Sequence, residues 1–520
     1  MMIRSLSSLS LVALFVLVKT SQSLPPSPFN YGLSSKAADR TVAAIQSFQN
    51  ANFGAFMHNG PVTQWGADIG WPLVCVSFPC DVQGPDNTTR TLTTTEELKA
   101  HRQEYIDLAR TWNPMNWDAA DIASKAKKAG MKYFVYTTVH CDGFADWDTN
   151  VTTFNVMNSP FGRDIYGELV DALRVEGIKV GAYLCVTQWG PDDKNFVYPD
   201  PLTTLNSNGG EIPTYDPAEF PERWDGVVDK LHNMVTELAT KYSPDIFWFD
   251  CHSAPPYDTR LEQVVPHIRT SNEDALVLIR NGIFTDWTEL PDQTEESVRN
   301  MMPFESAAAP FEVCGTLQAS QQWAYDPLSD AKPASKILAN LMMIVAKGGN
   351  YLLNLSPSPT GEFSTPANAV LSDLADWFVV NGEALGHNDG PTFPLFPYQS
   401  VNAVGETGSV AYFTSKNLDG GGVVCYVMVP ATMPGDGVDT PNDNFDNMYR
   451  ISEFRAGLLA PGVSLSSVTL LGASDDAVVN YVLNDDGLEI YAGNLDSSAS
   501  SLKDGKVFRV EFVDQALVEL

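Results

Sequence analysis

The chain has 520 residues, 44% of them hydrophobic, which is long enough for two domains with full cores. Its 64 acidic side chains outnumber 32 basic ones and give a formal charge of −32. That surplus repels nucleic acid and anionic membrane surfaces, so neither is expected as a partner, and it reads as solvation of an acidic surface.

At the start, Arg4 precedes an apolar run from Leu9 to Val18, and the small residues Ser21 and Ser23 follow. This pattern predicts a signal peptide over residues 1–23, with the mature chain secreted or luminal, a lysosome or vacuole included. The run is too short to span a bilayer, and no later segment reads as a membrane helix. The sequons at Asn87 and Asn150 fit glycosylation there, whereas the one at Asn354 lies in an apolar run and is expected to be inaccessible. Cys75 and Cys80 share a Pro-containing loop, close enough for a small disulfide in an oxidising compartment. Cys141, Cys185, Cys251 and Cys314 fall in or beside apolar runs and are expected as buried free thiols. No Cys-x-x-Cys or His-x-x-x-His spacing suggests a metal, and no cofactor is expected.

Short apolar runs predict strands at Phe53 to His58, Lys132 to His140, Lys179 to Val186, Asp245 to Asp250, Ala275 to Asn281, Phe311 to Thr316 and Tyr351 to Leu355. Helical patterns fall between them at Asp118 to Ala129, Ile165 to Glu176, Trp224 to Lys241, Leu261 to Thr270, Ala334 to Ala346 and Asn368 to Val380. Such alternation predicts a parallel sheet closed as a (β/α)8-like TIM barrel over residues 24–390, although only seven of eight strands are visible. After Pro391 the pattern changes to Gly-punctuated alternating runs such as Val423 to Val429 and Val507 to Phe512, which predicts an antiparallel β-sandwich over 391–520.

Polar residues collect at the predicted strand ends: His58, His140 and Asp142, Asp250 and His252, Arg280 and Asn281, with Glu312 inside its strand. In a parallel α/β barrel these ends form one mouth, and Trp65, Trp189, Trp248 and Trp287 are expected near it. Acids, His, Arg and indole rings in one cleft suit a carbohydrate, whose faces stack on rings and whose hydroxyls need hydrogen bonds. Asp250, which ends the run Ile246-Phe-Trp-Phe-Asp250, is the first candidate for chemistry.

Several of these segments resemble one family. Thr137-Thr-Val-His140-Cys-Asp-Gly-Phe144 is similar to the Lys-His-His-Asp-Gly-Phe motif of family 29 glycoside hydrolases, the retaining α-L-fucosidases. Asn350-Tyr-Leu-Leu-Asn-Leu-Ser-Pro resembles that family's Asn-Leu-Leu-Leu-Asn-x-x-Pro signature, and Phe311-Glu-Val-Cys314 its Trp-Glu-x-Cys segment. The resemblance implies a secreted exo-glycosidase acting on fucosylated carbohydrate through a covalent intermediate. It implies Asp250 as nucleophile, and His58, Trp65, His140, Trp248 and Arg280 as sugar contacts. The acid/base would come from a loop in which Asp286-Trp-Thr-Glu-Leu-Pro-Asp292-Gln is similar to the family's Gly-Asp-Tyr-x-Thr-Pro-Glu-Gln. Asp292 is the candidate, with Glu296 and Glu289 as rivals. Three departures mark a divergent member: Asn59 for a Trp, Cys141 for the second His, and Leu184 for a Tyr after Tyr183. Each is expected to alter the sugar pocket. A non-catalytic carbohydrate-binding barrel, or an enzyme for a related sugar or sulfated fucan, stays open beside the fucosidase reading, as does the oligomeric state.

Overall fold

The computed structural model describes residues 43–188, 204–205, 211–212, 215–251, 257–280, 288–289, 311–387, 392–394, 411–418, 422–432, 449–451, 454–456, 459, 462–473, 479–492 and 503–514. The predicted leader, Trp189, His252, Asn281, Trp287, Asp292 and Glu296 therefore lie outside the described residues.

Eight parallel strands form one sheet: β1 (Phe53–Met57), β2 (Tyr133–Val139), β3 (Lys179–Cys185), β4 (Ile246–Asp250), β5 (Leu276–Ile279), β6 (Thr288–Glu289), β7 (Phe311–Thr316) and β8 (Gly349–Asn354). Their order is β6-β7-β8-β1-β2-β3-β4-β5, which is chain order read around a circle. The strand that the sequence hid is β6. Two residues cannot display an alternation, so it left no pattern to read.

Inward and outward faces separate by the period of two that a strand imposes. Phe56, Tyr133, Val135, Tyr183, Trp248, Leu278 and Leu352 belong to one buried cluster. Their neighbours Ala55, Phe134, Tyr136, Leu184, Phe249, Ile279 and Leu353 belong to another, shared with the helices. The inner contacts also curl the sheet. Strands β4 and β7 stand five steps apart in the ladder, roughly 24 Å if the sheet were flat. Yet the Trp248 indole Nε1 donates to Glu312 Oε1 across 3.0 Å. Room for the ring of Tyr133 beside β1 comes from Gly54, where an added Cβ would lie 2.4 Å from that ring.

Helix α1 (Thr95–Asp107) packs on the loop after β1, and α2 (Ala119–Lys128), α3 (Ile165–Val175), α4 (Pro221–Tyr242), α5 (Val265–Ser271), α6 (Ala334–Ala346) and α7 (Thr365–Asn381) cover the outer face. Local chemistry starts them. Thr94 and Glu97 form a reciprocal capping box at α1, and the Asp118 and Asp164 side chains cap α2 and α3. The pattern from Leu261 to Thr270 divides into a 3-10 turn, Leu261–Gln263, and α5. Pro266 explains part of that break: it fits a first helical turn but not a helix interior. Helix α6 is buried at all 13 positions. It needs cover on every side, and the strands after residue 392 supply what the parallel sheet does not.

Those later strands are antiparallel. One sheet runs β9 (Phe393–Pro394), β10 (Tyr412–Asn417), β11 (Val423–Pro430), β16 (Gly505–Asp514), β13 (Val463–Leu470) in that spatial order. A second runs β12 (Tyr449–Ile451), β15 (Gly487–Ala492), β14 (Val479–Asn484). Phe413, Val427, Ile451, Ile490 and Phe508 pack between them as one cluster. The other face of the first sheet, with Tyr412, Tyr426, Met428 and Val507, joins the cluster of α6 and α7, and Trp377 Nε1 donates to the Gly505 carbonyl at 2.9 Å. Cys75 and Cys80 form the expected disulfide. Among the described residues no helix is long and apolar enough to cross a membrane.

Candidate active site

Parallel strands deliver their last residues to one side of the sheet, and of the polar residues foreseen there Arg280, His140 and His58 gather around Asp250. Its carboxylate terminates β4 with the side chain 14% exposed. Oδ2 accepts the Tyr183 hydroxyl at 2.9 Å, while Oδ1 accepts the Cys251 backbone N–H at 2.7 Å and Arg280 Nη1 at 3.1 Å. Burial alone would raise the Asp250 pKa, but the Arg280 guanidinium, His140 and these hydrogen bonds outweigh it and hold it below the ordinary carboxylate range. Of these, Arg280 and the two hydrogen bonds act at neutral pH, where His140 carries no charge. The group is thus an ionised carboxylate with its lone pairs directed by three donors.

His58 and His140 stand beside it. Burial depresses His58 to about 3 and His140 to about 4, so both rings are neutral at physiological pH. His58 Nδ1 lies 2.7 Å from Asn354 Oδ1. The Asn354 amide nitrogen donates to the Trp323 carbonyl at 2.7 Å, which fixes its oxygen as an acceptor and His58 Nδ1 as the donor. His58 Nε2 is then left as an acceptor. His140 stacks on Tyr183 at 5.4 Å, and its Nδ1 is buried with no hydrogen-bond partner.

Asn354, in the sequon read as inaccessible, is wholly buried. Asn150 is exposed and Asn87 half-buried.

Trp248 and Trp65 sit deeper than a cleft wall. Trp248 precedes Asp250 by two residues and so faces the same way one layer lower, 1% exposed, with its ring stacked on Tyr183. Trp65 ends a 3-10 turn and packs on His101 and Tyr105, with the Arg90 guanidinium over its ring. Asp142 turns toward α1, accepting the Tyr105 hydroxyl at 2.9 Å and the Phe144 N–H at 3.1 Å, and burial raises its pKa to about 6. Glu289 is placed by its short strand beside Glu312 of β7.

One expected pocket change is corrected. Leu184 follows inward-facing Tyr183 and therefore points to the helix layer, so a ring lost there leaves the Asp250 group untouched. Asn59 similarly bonds Tyr136, which belongs to that outer layer. Cys141 does face inward, next to Cys185 and Cys251. Sequence reading also passed over Trp323, a half-buried ring 5.2 Å from that of His58. It lies in an irregular segment after β7, with no strand pattern to draw attention to it.

Comparison with known proteins agrees with this geometry. The family model described as Alpha-L-fucosidase matches residues 18–383, well over half of the chain. The chain belongs to the alpha-L-fucosidase family. It is a glycoside hydrolase by that membership. Relatives of this family member include the alpha-L-fucosidase of Dictyostelium discoideum, 24% identical over 77% of this chain and 80% of that one. The human tissue alpha-L-fucosidase is 27% identical over 65% of this chain and 68% of its own. Among solved structures, alpha-L-fucosidase isoenzyme 1 from Paenibacillus thiaminolyticus superposes with a TM-score of 0.64 at 23% identity, over 91% of this chain and 100% of that one. A family 29 alpha-L-fucosidase from Bacteroides thetaiotaomicron gives 0.62 at 21% identity, over 91% and 95%.

Proposed function

We propose that the chain is a retaining exo-acting glycosidase that removes terminal α-L-fucosyl groups from oligosaccharides, glycoproteins or polysaccharides, with Asp250 as nucleophile. The observation that carries this is the Asp250 carboxylate held ionised by Arg280, Tyr183 and the Cys251 N–H at a strand end. A retaining mechanism needs one such carboxylate to attack the anomeric carbon, and a second, protonated one roughly 5 to 5.5 Å away to donate to the leaving oxygen. The second comes from the segment after β5, with Asp292 ahead of Glu296 and Glu289. It requires no cofactor. Neutral His58 offers its ring nitrogen Nε2 to a sugar hydroxyl, and Trp323 offers an apolar face beside it. Strands β5 and β6 complete the fold as a closed (β/α)8 barrel, residues 24–390, and the two antiparallel sheets form a sandwich over 391–520. The Cys75–Cys80 disulfide and the apolar leader favour secretion or a luminal site.

Labelling tests the central claim. A solved Bacteroides thetaiotaomicron enzyme was trapped as a covalent intermediate with 2-fluoro-fucosyl fluoride. The same reagent should label this chain on the peptide bearing Asp250. Label on another carboxylate, or hydrolysis of aryl α-L-fucoside unimpaired in Asp250→Gly, overturns the assignment.

A further inference from the structure

We propose that Cys141, Cys185 and Cys251 form a binding site for one soft, thiolate-seeking d10 cation, of the Zn(II), Cd(II) or Cu(I) type, beside the Asp250 carboxylate. The three residues come from the ends of adjacent strands β2, β3 and β4, so no local spacing announces them. Cys141 Sγ lies 2.9 Å from Cys185 Sγ and 3.7 Å from Cys251 Sγ, and the three sulfurs lie within 4.8 Å of one another. A cation bonded to three thiolates at about 2.3 Å spaces them roughly 4 Å apart, so the Cys141–Cys185 edge opens by about 1 Å and the other two adjust by less than that to complete the triangle.

The surroundings select for softness. Cys141 is 4% exposed and Cys185 is fully buried, which excludes the water that hard cations retain. Cys251 is only partly buried, which gives an entry route. It also holds a left-handed φ of 62°, a conformation a non-glycine residue keeps only when its surroundings impose it. That backbone turns the residue after Asp250 back toward the other two thiols. Cys141 stands where the family motif has His, so this divergence from the motif supplies one of the three ligands.

Occupancy reaches the reaction through Cys251. Its N–H donates to Asp250 Oδ1 at 2.7 Å, so drawing its sulfur to a metal displaces a donor on the nucleophile; the three thiols release three protons to solvent on binding, and with a divalent ion the site gains a net charge of −1 beside that carboxylate. The bound metal is therefore a reversible inhibitor. This activity arm rests on the fucosidase reading, whereas the binding arm does not.

The test uses the full chain with its Cys75–Cys80 disulfide intact, treated with a chelator, desalted without oxygen and titrated with Cd(II). One Cd(II) per chain should bind, with an ultraviolet thiolate-to-metal charge-transfer band, and should protect Cys141, Cys185 and Cys251 together from alkylation in peptide maps of the wild-type protein. Cys185→Ser should weaken binding roughly a hundredfold or more, and Cys425→Ser should not. Aryl α-L-fucoside hydrolysis should fall with occupancy and return on adding chelator. Absence of the band, or protection of fewer than all three cysteines, overturns the proposal. So does a count of three thiols, in place of the five free ones, in the protein denatured without reduction, because a disulfide would then hold the pair. Binding without any hydrolysis in the metal-free chain would keep this site and remove the fucosidase reading instead.

Discussion

Trp248 donates its indole N–H to Glu312 at 3.0 Å from five strands away in the sheet order, and Tyr133 donates its hydroxyl to the other oxygen at 2.7 Å. Glu312 is fully buried, so it ties β2, β4 and β7 together beneath the Asp250 group. Glu312→Ala strands two buried donors and should cost about 3 to 5 kcal/mol in urea unfolding, whereas Glu312→Gln keeps one acceptor oxygen and should cost about 1 to 2 kcal/mol. Equal, small losses in both variants would contradict this bracing role.

Tyr183→Phe separates support of the nucleophile from support of the fold. The ring stays stacked on Trp248 and His140, so the unfolding midpoint should move little. Asp250 loses one of the donors that favour its charged form, so its pKa rises and the acid limb of kcat/KM shifts upward. Turnover of an aryl α-L-fucoside should drop about tenfold, by roughly the 1.4 kcal/mol of one hydrogen bond to charge. An unmoved acid limb would place the phenol outside the mechanism.

Asp292→Ala addresses the proposed acid/base. The variant should lose most activity on substrates with poor leaving groups, and azide should restore turnover on a good one. A fully active Asp292→Ala enzyme transfers the role to Glu296 or Glu289, to be separated by the same rescue.

His58 makes stability depend on pH. Its folded pKa of about 3 lies below the unfolded 6.5, so the unfolded chain binds more protons between those values and stability rises with pH across that window. Acidification from 6.5 toward 3 should remove on the order of 4 kcal/mol through this ring. Burial sets most of that shift; His140 lowers it further, while Asn354 and Asp250 oppose it. His58→Phe should flatten the slope of unfolding free energy against pH over that range, even if the loss of Asn354's partner lowers stability throughout.

The strand-end residues were legible because parallel strands announce themselves as apolar runs and their ends are where chemistry gathers. Asp250, Arg280, His58 and His140 do meet. What the sequence withheld follows from geometry across strands. Leu184 and Tyr183 are neighbours in the chain but face opposite layers, so only the sheet's alternation tells which one borders the Asp250 group. Glu312 bonds partners 64 and 179 positions away in the chain. The three clustered thiols belong to three strands, and spacing rules search within one.

Helix α6 has no wet side: the curled sheet lies against one flank and the antiparallel strands against another. A chain cut after residue 391 would thus uncover Met342, whose methyl end lies against Gly505, and its neighbours on that flank of α6. Such a fragment should clump during expression instead of yielding a smaller working enzyme, making the last quarter of the polypeptide an obligatory chaperone of the rest.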